Sequence, residues 1–306
     1  MPPKFRIIEV PDDLSPKLEQ MGTKFKFWYF DEQHGYCLFK EGHPNTGEDW
    51  AERVAAELCE LLGMPHAVYR LAVWRNRRGV ITQNFLGNDE SYSAGNEVLF
   101  RLDTSYPREE RKAKKHSIEN IFKAFESLKV QIPKESAPPN ITTAKQIFLG
   151  YLMLDGWISN TDRHHENWAT VRHFREGVLT DRLAPTHDHA ASLGCILQDE
   201  EKRERLTTKD RNRTIEAYAN SAKARSAIFE TEVDAKPLPL INAFQLASWH
   251  NPQASKIWLE KLENVTIDGI TEIFERIPEQ RISEISKDFA IRLLEINRQR
   301  LLELKR

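Results

Sequence analysis

The stretch whose reading decides the fold is Asn160-Thr161-Asp162-Arg163-His164-His165-Glu166-Asn167. It sets a carboxylate, Asp162, five residues ahead of an amide, Asn167, directly after the apolar run 147–158. In-line phosphoryl transfer asks for that pair: a carboxylate to orient an attacking hydroxyl and take its proton, and a neutral oxygen a short turn away to hold Mg²⁺. Magnesium also asks for an anionic ligand. Asp188 supplies one in LAPTHDHAAS, after an expected hairpin of residues 168–174 and 178–183 joined through Arg175, Glu176 and Gly177. Upstream, residues 25–30 and 36–40 flank a polar turn at 31–35 and read as a hairpin ending on Lys40. A helix over 50–62 follows, with Thr46 as its expected cap, Glu48 and Asp49 in its first turn, and Gly63 and Pro65 as its stop. A lysine at a strand end, ahead of an acid-bearing helix, suits neutralisation of a nucleotide's α- and β-phosphates while a helix glutamate holds it.

NTDRHHENW and LAPTHD resemble the N-T-D-x-H-x-x-N and L-x-P-x-Y-D motifs of the HipA family of serine/threonine kinases, and the likeness covers most of residues 40–192. The resemblance implies an α+β, bilobal, protein-kinase-like fold. A small sheet-bearing lobe is expected over 1–135, with the phosphate loop, the lysine–glutamate pair and the hinge. A mainly helical lobe is expected over 136–306, with the catalytic loop and the metal-binding aspartate. It further implies Asp162 as the catalytic carboxylate and Asn167 and Asp188 as metal ligands. WAERVAAELCELLGMP is similar to the family's helix, which makes Glu52 the partner of Lys40, with Glu57, nearer the apolar stripe, as the alternative. ITQNF is similar to the adenine-binding hinge and puts Gln83, Asn84 and Phe85 at the nucleotide. MGTKFKFW offers Gly22, Thr23 and Lys24 as phosphate contacts on a single glycine. The implied cofactors are ATP and Mg²⁺. The implied acceptor is a serine or threonine of a protein, an aminoacyl-tRNA synthetase or the chain itself, in a toxin paired with an antitoxin. The chain departs from the family pattern at His187, where the motif has tyrosine, and at Glu166, where it has lysine. It is also shorter than the family's toxins and is expected to lack their extra N-terminal subdomain.

Composition narrows the field. Among 306 residues, 44 Lys and Arg meet 46 Asp and Glu, so no global charge excess is present to hold a nucleic acid or an anionic membrane. Three cysteines without C-x-x-C spacing argue against a disulfide framework and a zinc site. The most apolar run, 147–158, is too short to span a bilayer and contains Asp155, and the N-terminus lacks a signal-peptide pattern, so a cytoplasmic protein is expected. Residues 107–117 are dense in charges of both signs and 130–140 carry three prolines, which marks the expected lobe boundary. Three rivals stay open: a phosphoinositide-type lipid kinase, whose loop is similar, a nucleotide-binding pseudokinase acting as a partner-binding module, and a metal hydrolase built on His164, His165, His187 and His189.

Overall fold

Two hairpins written by their turn residues form the frame of the first sheet. The structure is a computed structural model that describes residues 2–14, 24–135 and 137–305, with the backbone of 17 and 18. The expected phosphate contacts Gly22 and Thr23 lie outside the described residues, whereas Lys24 lies inside them. The first sheet comprises β1 (Ile8–Glu9), β2 (Lys17–Leu18), β3 (Lys26–Asp31), β4 (Gly35–Glu41), β5 (Tyr69–Trp74) and β6 (Arg77–Gln83), in the order β1-β5-β6-β4-β3-β2. Only β1 pairs parallel, with β5. At the β3–β4 turn the Asp31 carboxylate accepts from the backbone N–H groups of Gln33 and His34 at 2.9 and 2.8 Å, and Gly35 takes φ 74°.

Helix α1 (Glu48–Leu62) joins β4 to β5 and packs on β5 and β6. Its N-cap is Gly47, not the expected Thr46, whose hydroxyl instead donates to the His43 carbonyl at 2.7 Å. The Trp50 ring lies so close that a Cβ on residue 47 would fall 1.9 Å from Nε1, so the helix start is set by packing rather than by a side-chain cap.

The chain then enters a second sheet. Strand β7 (Glu90–Ala94) pairs with β8 (Ala169–Arg175), which pairs with β9 (Val178–Leu183). The crossing between sheets therefore lies between Gln83 and Glu90, and residues 107–117 form turns between α2 (Gly95–Leu102) and α3 (Ile118–Ser127). Helix α4 (Ala144–Ile158) is apolar on all sides and is buried from Ile147 to Ile158, packed by α3, α7 (Leu240–His250), α8 (Pro252–Glu263) and α10 (Glu284–Leu302). A capping box opens it: Thr143 Oγ1 accepts from Gln146 N at 3.3 Å and Gln146 Oε1 accepts from Thr143 N at 3.1 Å. The charged segment after Asp188 forms α5 (Asp199–Thr207), followed by the short α6 (Ile215–Ala219), and α9 (Ile267–Glu275) packs on α1 and α10.

One core runs from α1 through α4 to α10, holding Trp50, Leu58, Phe148, Trp157, Trp258 and Leu294. The last helix begins at Glu284 behind a Ser283 cap, and Arg281, just ahead of it, is buried against Asp49 at 2.8 Å. The three cysteines, Cys37, Cys59 and Cys195, are buried and unpaired. Burial pushes the Cys37 thiol up to about 11 and the Cys195 thiol up to about 12, and raises Cys59 further still. No helix among the described residues is long and apolar enough to cross a membrane.

Candidate active site

The site starts where α4 stops. Ser159 closes the helix in the left-handed conformation, φ 55°, and turns the chain into Asn160 and Asp162. From the last turn of α4, the buried Asp155 accepts from Asn160 Nδ2 at 2.7 Å and from Nε and Nη2 of Arg163, both at 2.8 Å. Arg163 Nη1 donates onward to the Asn167 carbonyl at 2.8 Å and the His187 carbonyl at 3.4 Å. A buried ion pair is tolerated only when its hydrogen-bonding groups are satisfied. Here those bonds tie the helix end, the loop and the residue before Asp188 into one unit.

Within the loop, Asp162 N donates to Asn160 Oδ1 at 3.2 Å. Asn167 Nδ2 donates to the Asp162 carbonyl at 2.8 Å and lies 3.4 Å from its Oδ2. That orientation commits the amide nitrogen and leaves Asn167 Oδ1 without a donor among the described residues, a neutral oxygen available to a cation. The Asp162 side chain is 32% exposed, and Arg111, from the turns after α2, reaches its Oδ1 at 2.6 Å. His164 Nδ1 accepts from Glu166 N at 3.2 Å, and burial lowers its pKa against the opposing pull of Asp162.

The second half of the site centres on Lys40. Its ammonium donates to Glu52 Oε1 at 2.9 Å and to Asp188 Oδ1. The other Glu52 oxygen accepts from His189 N at 2.8 Å, so α1, β4 and the segment after β9 meet at one cation. The alternative glutamate, Glu57, turns elsewhere and pairs with Arg53 at 2.5 Å and Arg276 at 3.4 Å. Burial alone would lower the Lys40 pKa, but the carboxylates of Asp188 and Glu52 raise it well above its ordinary value. Burial likewise works against ionised Asp188, yet Lys40 holds that carboxyl far below the usual carboxylate range. Glu52 moves the other way: burial raises it and Lys40 offsets only part of the shift. Asp188 has φ 58° and donates its backbone N–H to the Tyr69 hydroxyl at 3.0 Å. With 34% of its side chain exposed, it offers an anionic oxygen to solvent. An ionised carboxylate, as at Asp188, and an uncommitted amide oxygen, as at Asn167, are hard-oxygen donors of the kind Mg²⁺ prefers.

The remaining expected residues lie just before β3 and at the end of β6. Lys24 pairs with Glu48 at 3.0 Å, at the start of α1. Gln83 is exposed at the end of β6, and Asn84 N donates to the Tyr36 carbonyl at 2.8 Å. The Phe85 ring lies 5.8 Å from that of His187 and 6.5 Å from that of Tyr92, so the expected hinge borders the Asp188 segment. His187, at the tyrosine position of the motif, holds the Pro185 carbonyl through Nδ1 at 2.9 Å and meets the Tyr92 hydroxyl through Nε2 at 3.1 Å. The four histidines do not converge on a metal: among the described residues no group of three or more His, Cys, Asp and Glu is placed to hold one. Sequence reasoning missed Tyr69, Tyr92, Arg111 and the Asp155–Arg163 pair. Only the last carried a signal, an acid isolated in an apolar helix.

No protein-family model matches the chain, and no curated protein does. Solved structures do. The Helicobacter pylori proinflammatory kinase CtkA superposes with a TM-score of 0.68 at 18% identity, covering 97% of this chain and 99% of that one. HipA from Shewanella oneidensis MR-1, solved with HipB and operator DNA of a toxin–antitoxin system, gives a TM-score of 0.56 at 14% identity, covering 95% of this chain and 66% of that one. The chain therefore has the α+β, kinase-like fold of these proteins, with a sheet-bearing first part and a mainly helical second part.

Proposed function

We propose that this chain is an ATP- and Mg²⁺-dependent kinase that phosphorylates a serine or threonine hydroxyl of a protein or of itself. The observation that carries the proposal is Lys40 held between Glu52 and Asp188, beside a loop in which Asp162 and Asn167 are bonded together. Lys40 has the position and charge to neutralise the α- and β-phosphates. Gln83, Asn84 and Phe85 would border the adenine, and Lys24, with the neighbouring Gly22 and Thr23, would reach the phosphates. Asn167 and Asp188 would hold Mg²⁺, which when bound offsets negative charge on the phosphates. Asp162 orients the acceptor hydroxyl and takes its proton. The acceptor oxygen then bonds to the γ-phosphorus as the bond to the bridging oxygen breaks, and ADP leaves. Lys40 and the ordered loop supply positioning and charge compensation, the two largest contributions to this chemistry.

Transfer from labelled ATP with Mg²⁺, by wild type and Asp162→Ala, alone and with cell lysate, tests the reading. Label on a protein with wild type, reduced at least about 100-fold by the substitution, supports it. ATP binding without transfer would replace it with the pseudokinase, and label on lipid alone with the lipid kinase. The likeness to HipA extends the proposal to a cytoplasmic toxin with an antitoxin partner and an aminoacyl-tRNA synthetase among the acceptors to test. Growth arrest on expression that requires Asp162 would support that extension.

A further inference from the structure

The charge-dense segment 107–117 enters the site through Arg111 alone, whose guanidinium sits on the proposed catalytic carboxylate. The segment is stapled along its length. Tyr106 is buried, its hydroxyl 2.7 Å from His165 Nδ1, and Ala113 is fully buried in the main core. His116 Nε2 accepts from Trp168 Nε1 at 3.0 Å while its Nδ1 holds the Ala227 carbonyl at 2.9 Å. The Arg108 carbonyl accepts from Asn96 Nδ2 at 3.2 Å, and Lys115 is bound to Asp103 at 2.6 Å. Between these anchors Arg111, Lys112 and Lys114 are exposed, as are Glu109 and Glu110 on the near side. Arg111, 58% exposed, is therefore delivered to Asp162 by a fixed frame rather than by a free tail.

We infer that Arg111 selects the acceptor, favouring a serine or threonine flanked by acidic residues; the inference rests on the kinase reading above. Both Asp162 oxygens have neighbours in this structure, Oδ1 the Arg111 guanidinium at 2.6 Å and Oδ2 the Asn167 amide at 3.4 Å. An acceptor hydroxyl seated at Oδ1 gains free access once something draws Arg111 aside. A carboxylate next to that hydroxyl does so by offering the guanidinium a second, bidentate partner, which frees Oδ1 as the substrate docks. A lysine at the same place meets the like charge of Arg111 and leaves it on Asp162.

Serine- and threonine-centred peptide pools flanked by glutamate, by lysine or by neutral residues, assayed with labelled ATP, test this. Wild type should favour the glutamate pool over the lysine pool at least about tenfold in kcat/KM, mostly through KM. Arg111→Gln should lower that ratio at least about fivefold, Arg111→Lys should restore part of it, and Arg111→Glu should turn the preference toward lysine. A merely structural role would not reverse sign with charge. Transfer by wild type with equal use of the pools, or a ratio unchanged by the three substitutions, overturns the inference alone. Faster use of all pools by Arg111→Gln, with the ratio kept, would make Arg111 a plain cover of the site and also overturn it. No transfer by wild type to any pool or protein overturns the kinase reading and this inference together.

Discussion

Asp188 combines a left-handed backbone with an ionised side chain, and the two can be separated. Asparagine tolerates φ 58° as aspartate does, so Asp188→Asn keeps the turn and removes the anion. We expect the variant to fold and to lose at least about 100-fold in Mg²⁺-dependent transfer, read by Mg²⁺ titration of the rate beside a melting curve. Glu52 is a sharper case because both its oxygens accept, one from Lys40 and one from His189 N. Glu52→Gln must turn an amide N–H toward one of those donors. It should destabilise the fold by about 2–4 kcal/mol in urea unfolding, while Glu57→Gln, at a half-buried surface pair, should change stability by less than about 1 kcal/mol. Lys40, Asp162, Asn167 and Asp188 could be picked out of the sequence because the chemistry restricts residue type and order, Glu52 came from the resemblance with Glu57 as its alternative, and the structure brings the five into two linked groups. Arg111 and Tyr69 could not be picked out, since an arginine in a charged loop and a tyrosine in a strand have ordinary reasons to be there.

At the level of elements, the hairpins and α4 follow from local rules. Glu176 and Gly177 take φ 53° and 80° between β8 and β9, as a tight turn requires, and the apolar character of α4 on all sides, broken over 147–158 by Asp155 alone, matches a helix surrounded by protein. Strand β7 had no such signature. ESYSA is short, has three polar residues in five and no β-branched one, and only its pairing with β8 makes it a strand. The close approach of β6 to β4 was equally hidden. A Cβ on Gly79 would stand 2.2 Å from the Lys40 carbonyl oxygen, a backbone atom that cannot swing aside. Gly79→Ala should therefore push the strand that carries Lys40, lowering stability by about 2–4 kcal/mol and weakening nucleotide binding together, checked by urea unfolding and ATP titration.

Across the whole molecule, four buried histidines and the half-buried His187 lie around the site with lowered pKa values. Burial holds His116 down to about 3 and His165 down to about 4, and it lowers His164, His187 and His189 as well. His116 and His165 stay neutral in the folded chain down to about pH 4 while the unfolded chain takes up protons below about pH 6.5, so their stabilisation is full above that pH and is lost as the pH falls. Each of these two costs about 1.4 kcal/mol per pH unit between those limits, a sizeable share of the stability of a domain. The urea midpoint should drop steeply from pH 6.5 to 5, before most carboxylates titrate. His116→Gln, which can keep an acceptor for Trp168 and a donor for the Ala227 carbonyl, should reduce proton uptake on unfolding by about one.

The buried thiols lend themselves to a different kind of experiment. With pKa values raised by burial, Cys37, Cys59 and Cys195 resist alkylation in the folded chain, and each becomes reactive only when its own surroundings open. They sit in the first sheet, on α1 beyond Glu52, and beyond Asp188, so the order in which iodoacetamide marks them would record which of these three parts opens first, without any label having been engineered.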